Sequence, residues 1–126
     1  MKKLTSVITT AGAAALLAAG MGFSGAVAAQ DEGLSESAKK GKELAFSRSA
    51  GNCLACHQIQ GGNLAGNMGP ALIAMKARYP DREELKSVIY DPRDKFGDQT
   101  IMPPFGAHKI LSEEEIEQIT DYILTL

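Results

Sequence analysis

The apolar positions of this chain recur at helical rather than strand spacing. Near the C-terminus Ile116, Ile119, Ile123 and Leu126 step by three and four, which places them on one helical face. Ser112 with Glu115 forms a capping-box pair in front of them, and the acidic residues 113 to 115 suit the positive end of the helix dipole. A second helix is predicted behind Asp81, with Glu84 at the third position, Leu85, Val88 and Ile89 turned inward, and Asp91-Pro92 as its stop. A third runs from a Ser35 cap to about Phe46, with Ala38, Leu44, Ala45 and Phe46 apolar. Gly41 sits in its middle, where glycine weakens a helix, so close approach of another helix is expected there. The segment Ala71-Leu72-Ile73-Ala74-Met75 also reads as an apolar helical face. No segment reads as a strand and no internal repeat is visible, so the predicted fold class is all-α.

The N-terminus departs from this pattern. Met1-Lys2-Lys3 is followed by an uncharged stretch from Leu4 to Ala29, closed by the small-residue sites Ala26-Val27-Ala28 and Val27-Ala28-Ala29 before charge resumes at Gln30-Asp31-Glu32. That order is expected of a secretory signal peptide over 1–29, leaving a mature domain over 30–126 in the periplasm and no membrane attachment after cleavage. The alternative is an uncleaved anchor, since the stretch is long enough to span a bilayer, but Thr, Ser and Gly dilute it. The 126 residues, 22% charged and 6% aromatic with no Trp, admit one small domain and exclude a multidomain enzyme. The formal net charge of -2, which becomes -4 without Lys2 and Lys3, gives no basic surface for nucleic acid. Such a small domain has a thin core, so an additional stabilising element is expected.

The only two cysteines supply one. Cys53-Leu54-Ala55-Cys56-His57 has the spacing of covalent c-type haem attachment, in which two thiols form thioethers and the adjacent imidazole ligates iron. The spacing places both sulfurs at one edge of a flat macrocycle and delivers the imidazole to its face. A thioredoxin-like dithiol needs a preceding strand in a βαβ context, and a structural zinc site needs four nitrogen or sulfur ligands; this chain has two Cys and two His. For the second axial ligand, the candidates are Met68, Met75, Met102 and His108. Met102 is preferred because it lies in the loop Thr100-Ile101-Met102-Pro103-Pro104-Phe105-Gly106. Pro103 biases it toward extended backbone, and two prolines reduce the freedom the loop loses on folding. Met75 is explained by its apolar face, Met68 is a weaker rival in a Gly-rich loop, and His108 between Ala107 and Lys109 reads as a solvated side chain. Arg78, Arg93 and Tyr79 are candidates for bonding the haem propionates.

A helix with Gly41 and Phe46, the Cys53-to-His57 motif, Gly69-Pro70, a Met-bearing loop and a final helix with Tyr122 together resemble the class I c-type cytochromes. The resemblance implies three to four helices around one covalently attached haem, with the first and last helices crossing near Gly41 and Tyr122. It also implies that the Pro70 carbonyl accepts the Nδ1–H of His57, fixing the ring and raising its basicity as a ligand. The stretch from Ala45 to Asn52 is longer than in short bacterial members.

Two longer runs narrow the likeness. Gly66-Asn67-Met68-Gly69-Pro70-Ala71-Leu72-Ile73-Ala74-Met75-Lys76-Ala77-Arg78-Tyr79-Pro80 and Met102-Pro103-Pro104-Phe105-Gly106-Ala107-His108-Lys109-Ile110-Leu111-Ser112 closely resemble the SoxX family, monohaem subunits of periplasmic sulfur-oxidising systems. That resemblance implies haem c ligated by His57 and Met102 and a heterodimer with a SoxA-type cytochrome. The pair would join thiosulfate oxidatively to a cysteine of the SoxYZ carrier, an L-cysteine S-thiosulfotransferase reaction, with electrons leaving to a downstream acceptor cytochrome. This chain has no cysteine beyond the haem pair, so the reactive thiol must lie on a partner. Two other readings are a freely diffusing electron carrier and a ligand-binding haem with Met102 merely structural. A docked subunit predicts an exposed apolar patch near the haem edge, and a carrier predicts a charged ring.

Overall fold

Three helices carry the architecture of the computed structural model, which describes residues 31–126: α1 (Glu36–Phe46), α3 (Arg82–Tyr90) and α5 (Glu113–Ile123). Two single turns, α2 (Met75–Arg78) and α4 (Arg93–Phe96), and a short 3₁₀ turn at Cys53–Ala55 complete it, and no strand occurs among the described residues. The targeting segment expected at 1–29 lies outside the described residues. None of the described helices is long and apolar enough to cross a membrane.

Local chemistry sets the helix ends. Ser35 caps α1 by accepting from Ala38 N, and Ser112 caps α5 with Glu115 in a full capping box. At α3 Asp81 accepts from Glu83 N, but the expected reciprocal box does not form. Glu84 turns outward instead and pairs with Lys95 of α4. The helical face expected over Ala71 to Met75 is also absent. Helix begins only at Met75, after Ala74 adopts a left-handed φ of 50°, so Leu72 is buried from extended chain while Ile73 faces solvent.

The largest helix–helix contact is the crossing of α1 and α5. Gly41 permits it: a Cβ there would overlap the Gln118 carbonyl and come within 2.9 Å of Ile119 N, both backbone of α5. Beside it the Phe46 and Tyr122 rings meet edge to face, 6.0 Å between centroids. The implied crossing near Gly41 and Tyr122 is thus present, and burial pushes the Tyr122 phenol up to about 12.

A polar bracket ties α3 to the same helix. Arg82 donates from Nε at 2.9 Å and Nη2 at 2.7 Å to Asp121 and pairs with Glu117, which also pairs with Lys86; Ser37 of α1 donates to the other oxygen of Asp121. These side chains are about one-third exposed, so the bracket orients helices more than it stabilises them. The core comes from Ile116, Ile119 and Ile123 of α5 against Ala38, Ala45, Leu85, Val88 and Ile89. Three helices braced this way leave one wide cavity, lined by α3, α5 and the connecting segments.

Candidate functional site

The cavity has a volume of about 630 Å³, within the range of small-molecule and cofactor sites. Its walls are almost wholly apolar: Leu85, Val88 and Ile89 from α3, Ile119 and Ile123 from α5, and Leu72, Met75, Phe105 and Leu111 from the connecting segments. Cys53, Cys56, His57, Pro70 and Met102 all line it. The structure therefore places these five residues around one cavity.

The cysteines sit on a tight turn. Asn52 enters it at a left-handed φ of 48°, and the Cys53 carbonyl accepts from Cys56 N at 3.2 Å and His57 N at 2.8 Å. The turn is itself helical, a 3₁₀ turn over Cys53–Ala55, so the two cysteines stand one helical turn apart. The thiols are free of a disulfide, and burial pushes that of Cys53 up to about 11. The preceding stretch, Ser47 to Asn52, is a compact loop closed by Gly51 N to Leu44 O at 3.0 Å and Asn52 N to Ser47 O at 2.9 Å, which absorbs its extra length.

His57 is held on two sides. Its Nδ1 lies 2.7 Å from the Pro70 carbonyl, and because a carbonyl only accepts, Nδ1 carries the proton and Nε2 is the nitrogen left for a metal. Gly69 lies flat against the ring: a Cβ there would stand 2.5 Å from Cε1 and 2.7 Å from Nδ1. The Gly-rich loop is itself pinned along the motif, with Gly66 N on Leu54 O at 2.8 Å, Gly69 N on Cys56 O at 2.9 Å and Leu72 N on Gln58 O at 2.9 Å. Backbone thus approaches where a side chain would not fit.

Met102 lines the cavity from the segment between α4 and α5. Its backbone N–H donates to Thr100 Oγ1 at 3.3 Å, and Thr100 also lines the cavity. Met75 reaches the cavity as well, but it is buried and its sulfur accepts from Arg78 Nη1 at 3.3 Å. Met68 lines the cavity from an exposed loop position, and His108 is exposed outside it.

Of the three residues suggested for propionates, Arg78 and Tyr79 line the cavity and Arg93 does not. Arg93 forks onto Asp91 at 2.8 and 2.6 Å, an attraction that also holds the Asp91 carboxyl below its ordinary range. Arg48 is the lining cation that sequence reasoning missed. Its signal was available, because it is the only charged residue between Glu43 and Lys76. No carboxylate lines the cavity.

This donor set fits a covalently attached haem. Two thiols share one turn, an oriented imidazole offers Nε2, a thioether faces the same space, and apolar walls have the dimensions of a cofactor site. No cluster of three His, Cys, Asp or Glu occurs among the described residues.

Comparison with known proteins agrees with the geometry. The family model described as "Cytochrome c" matches residues 38–126. A chain of a solved structure described as "Crystal structure of SoxXA from P. pantotrophus" superposes with a TM-score of 0.62 at 23% identity, covering 69% of this chain and 79% of that one. No curated protein matches.

Proposed function

The chain belongs to the cytochrome c family, all-α and built for one covalently attached haem, and on that premise we propose that it is the electron-accepting subunit of a periplasmic SoxAX-type, thiosulfate-oxidising heterodimer. The observation that carries the electron-transfer part is the convergence of Cys53, Cys56, His57 and Met102 on one apolar cavity, with His57 Nδ1 bonded to Pro70 at 2.7 Å. When bound there, haem supplies reversible storage of one electron at a centre whose potential a His/Met ligand pair raises.

The residues divide the work. Cys53 and Cys56 would hold the cofactor through their sulfurs. His57 would offer Nε2 to its metal, the ring's orientation held by Pro70 and Gly69. Met102 brings a thioether on a loop stiffened by Pro103 and Pro104, so the ligand loses little freedom on binding. Arg48 and Arg78 provide the positive charge that two carboxylates require. Leu85, Val88, Ile119 and Ile123 exclude water from the walls.

With both thiols holding the cofactor, the chain would keep no cysteine to carry sulfur, and with His57 and Met102 both as ligands the metal would offer no position for substrate. Oxidative coupling of thiosulfate to a SoxYZ cysteine then belongs to a SoxA-type partner, and this chain receives its electrons one at a time and passes them to an acceptor cytochrome. What supports a docked subunit over a diffusing carrier is the cavity mouth. Met68, Phe96, Ile101 and Ile110 line the cavity and are exposed to solvent, whereas its only charged lining residues are Arg48 and Arg78. The structural likeness to a SoxXA chain adds to that reading.

The test combines the holoprotein with a SoxA-type cytochrome, SoxYZ and thiosulfate. The expected result is co-elution of the two cytochromes and thiosulfate-dependent reduction of this chain's haem. A monomer that neither binds that partner nor is reduced in its presence returns the chain to the carrier reading.

A further inference from the structure

One segment outside the cavity is unlike the rest of the chain. From Ser49 to Met75 there is no Asp, Glu, Lys or Arg, although at the chain's overall 22% a stretch of that length would carry about six charged residues. Ile59, Leu72 and Met75 of this segment are buried, but its other large apolar side chains are not buried in compensation. Leu64 is 93% exposed, Met68 66% and Ile73 63%. Leu64 and Ile73 do not line the cavity, so filling it leaves them in water.

Leu64 is also in an unfavourable conformation, with φ at 57°, which a leucine seldom adopts and which no packing around it repays. The loop that carries it is nevertheless firmly placed by the three backbone bonds from Gly66, Gly69 and Leu72 to the motif segment. A rigid, charge-free segment displaying isolated large apolar side chains has the composition of an interface centre, where charged residues are depleted.

We propose that the segment Ser49–Met75 is a protein-docking surface centred on Leu64, Met68 and Ile73, and that its occupant is a second, stably bound polypeptide with a charge-poor apolar face and an acidic margin. The charge-poor face follows from the absence of any ionic group here to pair with a buried one. The acidic margin follows from Lys76, which ends the segment, is exposed outside the cavity lining, and pairs with no carboxylate among the described residues. A second copy of this chain would meet Lys76 with a like charge rather than an acidic one. A lipid surface would strand the amides of Gln58, Gln60, Asn63 and Asn67 in hydrocarbon, where a protein face supplies hydrogen bonds. Taking that polypeptide to be the SoxA-type cytochrome rests on the function proposed above.

Leu64→Asn separates docking from folding, because Asn tolerates the left-handed conformation that strains Leu. Its melting temperature is expected to equal or exceed that of the wild-type holoprotein, with an unchanged haem spectrum. Affinity for the SoxA-type cytochrome, measured by calorimetry, is expected to fall about 10-fold, and about 100-fold when Ile73→Ser is added. Ala107→Asp, exposed and outside both the segment and the cavity lining, serves as the control and leaves affinity unchanged. A wild-type complex that Leu64→Asn with Ile73→Ser leaves within about twofold overturns the surface while sparing the subunit reading. Absence of any wild-type complex overturns both. A dimer of this chain, or binding to phosphatidylglycerol vesicles, that the two substitutions abolish overturns the choice of occupant.

Discussion

Gly41→Ala sets two physical effects against each other with opposite signs. Helix propensity alone favours the change: alanine in a helix interior is better than glycine by about 0.8–1.0 kcal/mol. Packing opposes it. The added Cβ would overlap the Gln118 carbonyl and lie 2.9 Å from Ile119 N, and these are backbone atoms in the middle of α5 that no rotamer change removes. Relief requires moving α1 away from α5, which opens the contact of Ala38 and Ala45 with Ile116 and Ile119, all at most 1% exposed. Overpacking of that kind costs about 1–3 kcal/mol, and a clash with immovable backbone belongs at the upper end. The net expectation is a destabilisation of about 2 kcal/mol, or a melting temperature lower by about 8–16 °C for a domain of this size. Differential scanning calorimetry of the holoprotein measures it, with the haem spectrum at 25 °C confirming that the site persists. An unchanged or raised melting temperature would mean that propensity dominates and that the helices do not cross at this glycine.

Three further outcomes follow from the site and its supports. Met102→Ala should abolish the native low-spin spectrum and lower the midpoint potential in redox titration, while Met75→Leu and Met68→Leu should preserve both; a native spectrum in Met102→Ala would refute thioether ligation by that residue. Ser112→Ala removes the acceptor for Glu115 N and one half of the capping box on α5, and should cost about 1 kcal/mol in denaturant titration. Lys86 and Arg82 hold the Glu117 carboxyl below its ordinary value of 4.5, so the unfolded chain takes up that proton first as pH falls. The bracket's contribution is therefore complete above about pH 4.5 and lost below it, and Glu117→Gln should flatten the fall in stability between about pH 5 and 3.

Helix faces and caps were legible in the sequence because they depend on neighbours a few positions away. Ser35, Ser112 with Glu115, and the spacing of Ile116, Ile119 and Ile123 all act within a turn or two. The motif from Cys53 to His57 is local in the same way, five adjacent residues of which Cys53, Cys56 and His57 line one cavity. Where reading failed, a partner distant in sequence had intervened. Glu84 forgoes the capping box because Lys95 of α4 stands beside it, and Arg93 misses the cavity because Asp91 takes its guanidinium in a two-pronged bond. The helical reading of Ala71 to Met75 failed because Leu72 N is engaged by Gln58 O, which holds this stretch along the haem motif in extended form. Arg48 was overlooked because it lies in a turn with no periodicity, and only the folded cavity shows what it faces.

Charge is divided along the chain in a way that joins these observations. Carboxylates gather on the outer faces of α3 and α5, where Arg82, Lys86 and Lys95 answer Glu117, Asp121, Glu83 and Glu84. None lines the cavity, whose only charges are Arg48 and Arg78. A negative charge against a buried redox centre would stabilise its oxidised form, so keeping carboxylates outside favours acceptance of an electron. The same exclusion leaves Ser49 to Met75 without charge on its solvent side, because the segment that wraps the imidazole is also the one that displays Leu64 and Ile73. One stretch of sequence thereby supplies what the proposed electron-accepting subunit would require: an apolar setting for the imidazole within, and an apolar surface without.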